Sequence, residues 1–371
     1  MNPAFSEFME STCQALAREV PEFPTQMGMF EIGGQPVPQD YFTGIDAESV
    51  ARRQQLLLNI GKQLNRFSHE DLDESEQLSA GVLDFLVDYV YERGLIGRAG
   101  KDFLQHEYLV RPSVGLQSEL PLFLTDLHPM RHAGDAEDYV SRLKSIAPHL
   151  GEAERQLRHR QSAGFLPPAL VLHGTIEEIE QFISTAPEQN VLYSTLMEKS
   201  AGLQGLDESS RRNLLAEAGA ELAEKTYPVY RQLLATLRDQ APLANEAPGV
   251  WRLPDGDAWY DFQLRCATTT AMSADEIHQL GLEETHRLEQ EIIKACGEMG
   301  IDAANITDCH RALDAGKGAP REDTEDNRQA IVDHIEALIS DIEPRLSGLF
   351  HQMPKGRITV KTIPRFAETN R

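Results

Sequence analysis

Apolar residues recur at three- and four-residue steps along most of this chain, which is the spacing of side chains on one face of an α-helix. The longest unbroken pattern begins at Ser209 or Ser210 and passes through Leu233. Pro228 lies inside it and should kink or interrupt the helix, because proline lacks a backbone donor and crowds the preceding turn. The pattern predicts a mainly α fold, a multi-helix array.

Two helices are predicted near the start of the chain. Asp46 can cap one that runs to about Phe67, and Asp73 or Ser75 can cap another that runs to about Arg93. We expect the two helices to pack as a hairpin. The second helix should bury an apolar face formed by Leu78, Val82, Phe85, Leu86 and Tyr89.

The charge of the chain argues against two classes of partner. Its 371 residues include 35 basic and 59 acidic side chains, a formal net charge of −24, which repels nucleic acid and anionic membranes. The start of the chain lacks the apolar run of a secretory signal, and no run of about 18 apolar residues occurs that could span a membrane. We therefore expect a cytoplasmic protein without nucleic-acid or membrane partners.

The strongest break in the helical pattern lies between Gln240 and Pro254, where prolines and a glycine cluster. This segment can be a linker between two domains or a loop within one. As a linker, it separates a helical domain at 1–240 from a second region at 255–371. As a loop, it belongs to one continuous domain.

A turn followed by aromatic residues comes directly after this break. Pro254 presets φ for a tight turn and Gly256 can accept a positive φ, so a chain reversal is predicted there. Trp259, Tyr260 and Phe262 then supply large apolar area, with polar groups on the tryptophan and tyrosine. This segment should dock against a core as a helix or a strand.

A helix start is well marked a few residues later. Thr268, Thr269 and Thr270 are β-branched and should keep the backbone extended. Ser273 and Glu276 then fit a capping box, which places the start of a helix at about Ala274. One mostly apolar stripe of this helix should be buried, and Gly297 and Gly300 should end the helix. The apolar members of the stripe are Ile277, Leu280, Leu288, Ile292, Ala295 and Met299.

The order of several segments is similar to that of a known family. The segments are Leu253 to Asp257 with Tyr260, Thr268 to Thr270, Asp275 to His278 with Gly281 and Leu282, Leu109 to Leu143, Gly164 to Pro168, and Ile342 to Phe366. In this order they resemble the domain of unknown function 885 family, whose members look like zinc metallopeptidases of the gluzincin type. The resemblance runs over nearly the whole chain but corresponds to roughly the first three-fifths of a family member. It implies the N-terminal portion of a gluzincin-like fold.

The zinc-binding helix of that family would lie beyond Arg371. The histidines of this chain offer no substitute, because neither His69 nor His106, each followed by glutamate, completes the His-Glu-x-x-His spacing. We therefore expect no catalytic and no metal-binding residues in the chain. Zinc is expected as a cofactor only together with a C-terminal portion.

The remaining metal-like spacings are weak. Pro129 disfavours a helix at His128, so His128 and His132 are interpreted as ordinary surface histidines in a loop or at a helix entry. Glu283 and His286 are interpreted as part of a solvated helix face, since no second Glu-x-x-His copy occurs. The four cysteines have no Cys-x-x-Cys spacing and are expected to be reduced, mostly buried thiols: Cys13, Cys266, Cys296 and Cys309.

One strand is predicted, near the C-terminus, where Ile358 and Val360 alternate with polar residues between Arg357 and Ile363. In gluzincin-like enzymes a small sheet precedes the zinc helix. If this strand belongs to such a sheet, its partners come from sequence beyond Arg371 and its edge is unpaired. An unpaired edge favours self-association.

Two functional interpretations remain open. In the first, the chain is the N-terminal, substrate-enclosing portion of a metallopeptidase-like protein, inactive alone, and its partners are a peptide and a separate catalytic C-terminal portion. One wall of a substrate cleft would then be lined by Tyr260, Arg265, Thr268, Thr269 and Thr270. Core packing and an ordinary helix approach are nevertheless the favoured explanation of these five positions. In the second, the chain is a non-catalytic helical scaffold that binds a partner.

Overall fold

A computed structural model describes residues 2–87, 108–247, 249–315, 322–350, 353, 356–360 and 362. The chain is mainly α-helical, as predicted, and it divides into two compact units, Met1–Ser273 and Ala274–Arg371. The described elements of the first unit are α1 (Pro3–Glu19), α2 (Glu22–Gln26), β1 (Glu31–Ile32), β2 (Gln35–Pro36), α3 (Ala47–Leu64), α4 (Glu74–Val87), α5 (Leu116–Leu122), α6 (Ala133–Ser162), α7 (Ala169–Phe182), α8 (Val191–Lys199), α9 (Glu208–Glu221), α10 (Tyr227–Gln240) and α11 (Gly256–Thr268). Those of the second unit are α12 (Ala274–Glu298), α13 (Ile306–Ala315) and α14 (Glu325–Leu346).

Helix α6 is the centre of the first unit. Its apolar side chains recur at helical spacing and are fully buried against α9 and α10. The hydroxyl of Tyr139 on α6 donates to the carbonyl of Leu192 at 2.8 Å, and buried Glu154 accepts from the hydroxyl of Thr236 on α10 at 2.6 Å. The central helix is therefore held by apolar burial and by satisfied polar contacts.

A π-helical turn accommodates Pro228 within the long predicted helix. The predicted long helix is present as α9 and α10, and the π turn Leu222–Thr226 joins them directly before the proline. A π turn shifts the hydrogen-bond register by one residue, so the missing donor of Pro228 falls at the start of α10. The predicted interruption is confirmed.

Helices α3 and α4 contact each other as the predicted hairpin, but the predicted buried face of α4 was wrong. Leu83 and Val87 are buried, whereas Leu78, Val82, Phe85 and Leu86 are exposed, and Tyr89 lies outside the described residues. The contact forms where α3 carries Gly61, since a Cβ there would lie 2.9 Å from Val87 Cγ1. Helix α4 is apolar on several sides, so periodicity alone does not select the packed face.

The prediction of a strand at the C-terminus is not met by the described residues. Positions 357–360 and 362 are neither helix nor strand, and residues 361 and 363 lie outside the described part of the chain. The described sheet is a two-stranded hairpin of β1 and β2 near the N-terminus, in which Glu31 pairs with Pro36. Alternation alone does not make a strand, because a strand also needs a partner for its backbone groups.

Buried Arg142 on α6 ties a long loop to the core. Its guanidinium donates to the carbonyl of Tyr41 at 3.0 Å and of Pro38 at 3.3 Å, and to Gln39 Oε1 at 3.3 Å. It also lies 4.8 Å from the ring centre of Phe123. Burial lowers the pKa of Arg142 to about 10, which leaves it charged at neutral pH. The loop between β2 and α3 is thus anchored by a buried cation.

His128 completes this cluster, which corrects the prediction of a surface histidine. It is buried, its Nδ1 lies 3.0 Å from Arg142 Nη1, and its Nε2 lies 2.8 Å from the carbonyl of Asp135. Arginine can only donate, so Nδ1 must accept and Nε2 must carry the proton. His128 is therefore neutral. His132 does lie at the helix entry, where it caps α6.

The second unit buries few side chains. Helix α12 begins at Ala274, as predicted, but Leu280, Leu288, Ile292 and Met299 of its predicted buried stripe are exposed. Helix α14 carries a further exposed apolar stripe, formed by Ile331, Ile335, Leu338 and Ile342. Within the described residues no helix is long and apolar enough to cross a membrane.

Acidification is expected to destabilise the first unit through His128. Burial lowers its pKa from 6.5 to about 4. As the pH falls, this imidazole is therefore protonated in the unfolded chain before it is protonated in the folded chain. The free energy of unfolding should fall by roughly 3 kcal/mol as the pH decreases from about 6.5 to 4. The measurement is urea unfolding at several pH values, for the wild type and for His128→Gln. The glutamine amide can accept and donate hydrogen bonds but does not titrate. If the free energy of unfolding depended on pH equally in the two proteins, the assignment of this pH dependence to His128 would be contradicted.

Candidate functional site

Helix α11 presents two different faces. Trp259 and Phe262 are buried and pack together with ring centres 5.5 Å apart. Tyr260 and Arg265 are exposed and Thr268 is half-buried. At about 100° per residue Tyr260 and Thr268 point away from the buried pair, whereas Arg265 lies about 60° around the helix from Phe262. Tyr260, Thr268 and Arg265 are therefore spread over about 140° of the accessible surface of α11, with Thr268 between the other two.

The threonine run ends helix α11, whereas an extended backbone was expected at all three threonines. Thr268 is the last residue of α11, and its hydroxyl donates to the carbonyl of Leu264 at 2.7 Å. Thr269 follows in the left-handed region at φ 55°. The hydroxyls of Thr268 and Thr270 lie 3.0 Å apart. The expected extended backbone at Thr268 was wrong, because the side-chain hydroxyl satisfies a carbonyl within the last helical turn.

Both ends of α11 carry non-glycine residues in the left-handed region. Asp255 precedes the helix at φ 52° and Thr269 follows it at φ 55°. A β-branched residue such as threonine is a steric outlier there, at a cost of order 1–3 kcal/mol. Such strain is concentrated at functional sites in proteins generally. It is a second reason to treat the accessible face of α11 as a candidate site.

The predicted turn before α11 is present, with different residue roles. The N–H of Gly256 donates to the carbonyl of Leu253 at 3.0 Å, and Asp255, not Gly256, has the positive φ. A Cβ on Gly256 would lie 1.9 Å from the carbonyl oxygen of Val250. The glycine is needed for the close approach of two backbone segments.

Distant segments converge beside this turn. Arg252 donates to the carbonyl of Leu166 at 2.7 Å and to the hydroxyl of Tyr108 at 3.0 Å. Gly164 has φ 87°, and a Cβ there would lie 3.7 Å from Pro254 Cγ. The motif from Gly164 to Pro168 is thus fixed against the start of α11. Sequence reasoning missed Arg252, since nothing in the local pattern indicates its distant acceptors.

The described residues contain no group of three or more His, Cys, Asp or Glu side chains that could hold a metal ion. Glu283 and His286 lie on an exposed face of α12, in agreement with the interpretation as a solvated face. The four cysteines are free thiols; Cys296 and Cys309 are buried, Cys266 is half-buried and Cys13 is exposed.

Comparison with known proteins identifies the family. A family described as "Bacterial protein of unknown function (DUF885)" matches residues 21–371. The chain belongs to the DUF885 family. No curated protein matches it.

A solved structure shares the fold of this DUF885 chain. It is the crystal structure of "the putative lipoprotein from Colwellia psychrerythraea", with a TM-score of 0.83 at 19% sequence identity. The match covers 99% of this chain and 63% of that one. The DUF885 chain therefore spans less than two thirds of the length of its structural neighbour. At this identity the likeness concerns the fold alone.

Gly256→Ala is expected to destabilise the protein by about 2–3 kcal/mol, because the added Cβ meets a backbone carbonyl that cannot move freely. Gly81→Ala is the matched control, since a Cβ on this helical glycine has no atom within 4 Å and should stabilise by about 0.5–1 kcal/mol. Both free energies of unfolding can be measured by urea titration. Equal effects of the two substitutions would refute the close-approach argument.

Thr269→Gly is expected to stabilise the protein by about 1 kcal/mol, because glycine adopts the left-handed conformation without strain. Thr270→Gly serves as the control at the neighbouring position; its φ is not positive, so it should gain nothing and lose conformational entropy on folding. Urea unfolding of both variants measures the difference. A loss of stability in Thr269→Gly would mean that the threonine side chain contributes more than the strain costs.

Proposed function

We propose that this chain is the N-terminal, substrate-enclosing portion of a metallopeptidase-like protein. The observation that carries the proposal is the accessible surface of α11, which presents Tyr260, Thr268 and Arg265 on one helix flanked at both ends by a left-handed residue. The chemistry of bond cleavage would be supplied by a portion equivalent to the part of the structural neighbour that this chain does not match.

The α11 face has the chemistry of a peptide-binding wall. The Tyr260 hydroxyl can donate to a carbonyl, and the Arg265 guanidinium can bind a peptide carboxylate with two parallel hydrogen bonds. The threonine hydroxyls at positions 268 and 270 add short polar contacts at the end of the helix. A peptide backbone offers the alternating acceptors that such a surface needs.

The exposed stripes of α12 and α14 support a second part of the proposal. Leu280 and Leu288 on α12 and Ile335 and Leu338 on α14 are each between about one third and one half exposed. A chain with so much apolar surface on two long helices is suited to packing against further protein. We propose that a catalytic C-terminal portion packs on these stripes, and that zinc belongs to that portion.

The location and the partners of the protein are part of the same proposal. The protein would act in the cytoplasm on peptides, without nucleic-acid or membrane partners, and would self-associate when the stripes are left uncovered. The formal net charge of −24 supports the exclusion of nucleic acid.

The test is a zinc and peptidase assay on the 371-residue chain alone and co-expressed with the polypeptide encoded directly after Arg371 or by the next gene. The chain alone should hold no stoichiometric zinc and cleave no peptide, and the pair should do both. Arg265→Ala in the active pair should raise KM for peptides about tenfold or more, since it removes a charged contact to substrate. Zinc and cleavage by the chain alone would overturn the proposal.

A matched pair of substitutions tests the packing of the two portions. Ile335→Lys places a charge in the α14 stripe and should prevent co-purification, whereas Ala337→Lys makes the same charge change on another side of the helix and should not. If no second polypeptide of this kind is encoded, or if partner binding occurs without any cleavage, the chain is a non-catalytic scaffold and the proposal fails.

A further inference from the structure

Two cysteines that lie apart in the sequence are both buried in the second unit. Cys296 is in the last turn of α12 and Cys309 is in the first turn of α13. Cys296 is 3% exposed and Cys309 is 0% exposed, and they are the buried side chains of these two helices. Helices α12 and α13 contact each other, so these cysteines are the side chains that the hairpin buries.

The turn between the helices fixes this arrangement. Gly300 adopts φ 80°, and the N–H of Ile301 donates to the carbonyl of Cys296 at 2.9 Å, which ends α12 and reverses the chain. Asn305 then begins α13, with its side-chain oxygen accepting from the N–H of Asp308 at 2.9 Å. Each thiol is therefore positioned by backbone hydrogen bonds of its own helix end.

The two buried thiols lie on helices that contact each other. The pKa of Cys309 is raised by burial and then by its interaction with the Cys296 thiol. Both are free in the structure, and with no third ligating side chain among the described residues they do not form a metal site. Two buried thiols at the join of two contacting helices are candidates for a disulfide.

We propose that Cys296 and Cys309 are a disulfide-forming pair that covalently staples α12 to α13. The co-reactant is a low-molecular-weight disulfide of the glutathione class. The thiolate of one cysteine attacks a sulfur of the co-reactant, breaking its S–S bond and releasing one thiol. The second cysteine attacks the resulting mixed disulfide and releases the second thiol. Two electrons and two protons pass from the pair to the co-reactant.

The hairpin has the properties that make such a staple effective. Apart from the two cysteines, the α12 and α13 side chains are half-buried or exposed, so local opening admits the co-reactant at small cost. Once formed, the bond constrains a short loop that few other contacts hold. Oxidation would therefore order α12 and α13 without new noncovalent contacts.

The test uses the full chain carrying Cys13→Ser and Cys266→Ala, so that Cys296 and Cys309 are the two cysteines that remain. It is equilibrated in glutathione redox buffers under native conditions and in 6 M guanidinium, quenched with acid and alkylated. Mass spectrometry then counts thiols and maps the cross-linked peptide. We expect an intramolecular disulfide between Cys296 and Cys309. The effective concentration of one thiol relative to the other should be about tenfold or more higher in the native than in the unfolded chain.

Hydrogen exchange supplies an independent readout. Amides of α12 and α13 should exchange about tenfold or more slowly in the oxidised than in the reduced protein, and the Cys309→Ser variant should show no redox dependence. An equal or lower effective concentration in the native chain would overturn the proposal, as would glutathione adducts or intermolecular bonds in place of the internal one.

Discussion

The guanidinium of Arg142 is fully buried on the central helix, and each hydrogen bond that it makes within the described residues ends on a neutral acceptor. A charge in such a position is tolerated only if its donors are satisfied. The loop from Pro38 to Tyr41, the neutral His128 and the ring of Phe123 satisfy them together. The loop between β2 and α3 is thus bound to the central helix through a polar contact, next to Phe42, which is part of the apolar core.

Local sequence signals predicted two features of the helices correctly. Ser273 and Glu276 indicated the start of α12, and Pro228 indicated an interruption that the structure resolves with a π turn. These features depend on hydrogen bonds between residues a few positions apart, which a pattern can reveal. The face that α4 buries depends on Gly61 of another helix, so its own periodicity could not decide it.

In the candidate site, too, the sequence indicated local features but not contacts with other segments. The sequence indicated an aromatic segment, a turn and a threonine run, and the five predicted residues do lie on or directly after α11. The sequence could not show that Thr269 would be left-handed or that Gly256 is needed for a neighbouring carbonyl. It also could not show that Cys296 and Cys309 are buried on two helices that contact each other, because spacing rules for cysteines do not include a helical hairpin closed by a left-handed glycine.

The exposed stripe of α14 coexists with a formal net charge of −24. Like charges on two approaching copies repel over about 10 Å at 0.1 M salt, which is farther than apolar contacts reach. The acidic composition thus acts as a kinetic and colloidal barrier around surface that would otherwise aggregate. Because salt shortens that range, the solubility of the isolated chain is linked to ionic strength, while a partner with basic residues beside its own apolar stripe would be drawn toward the same surface.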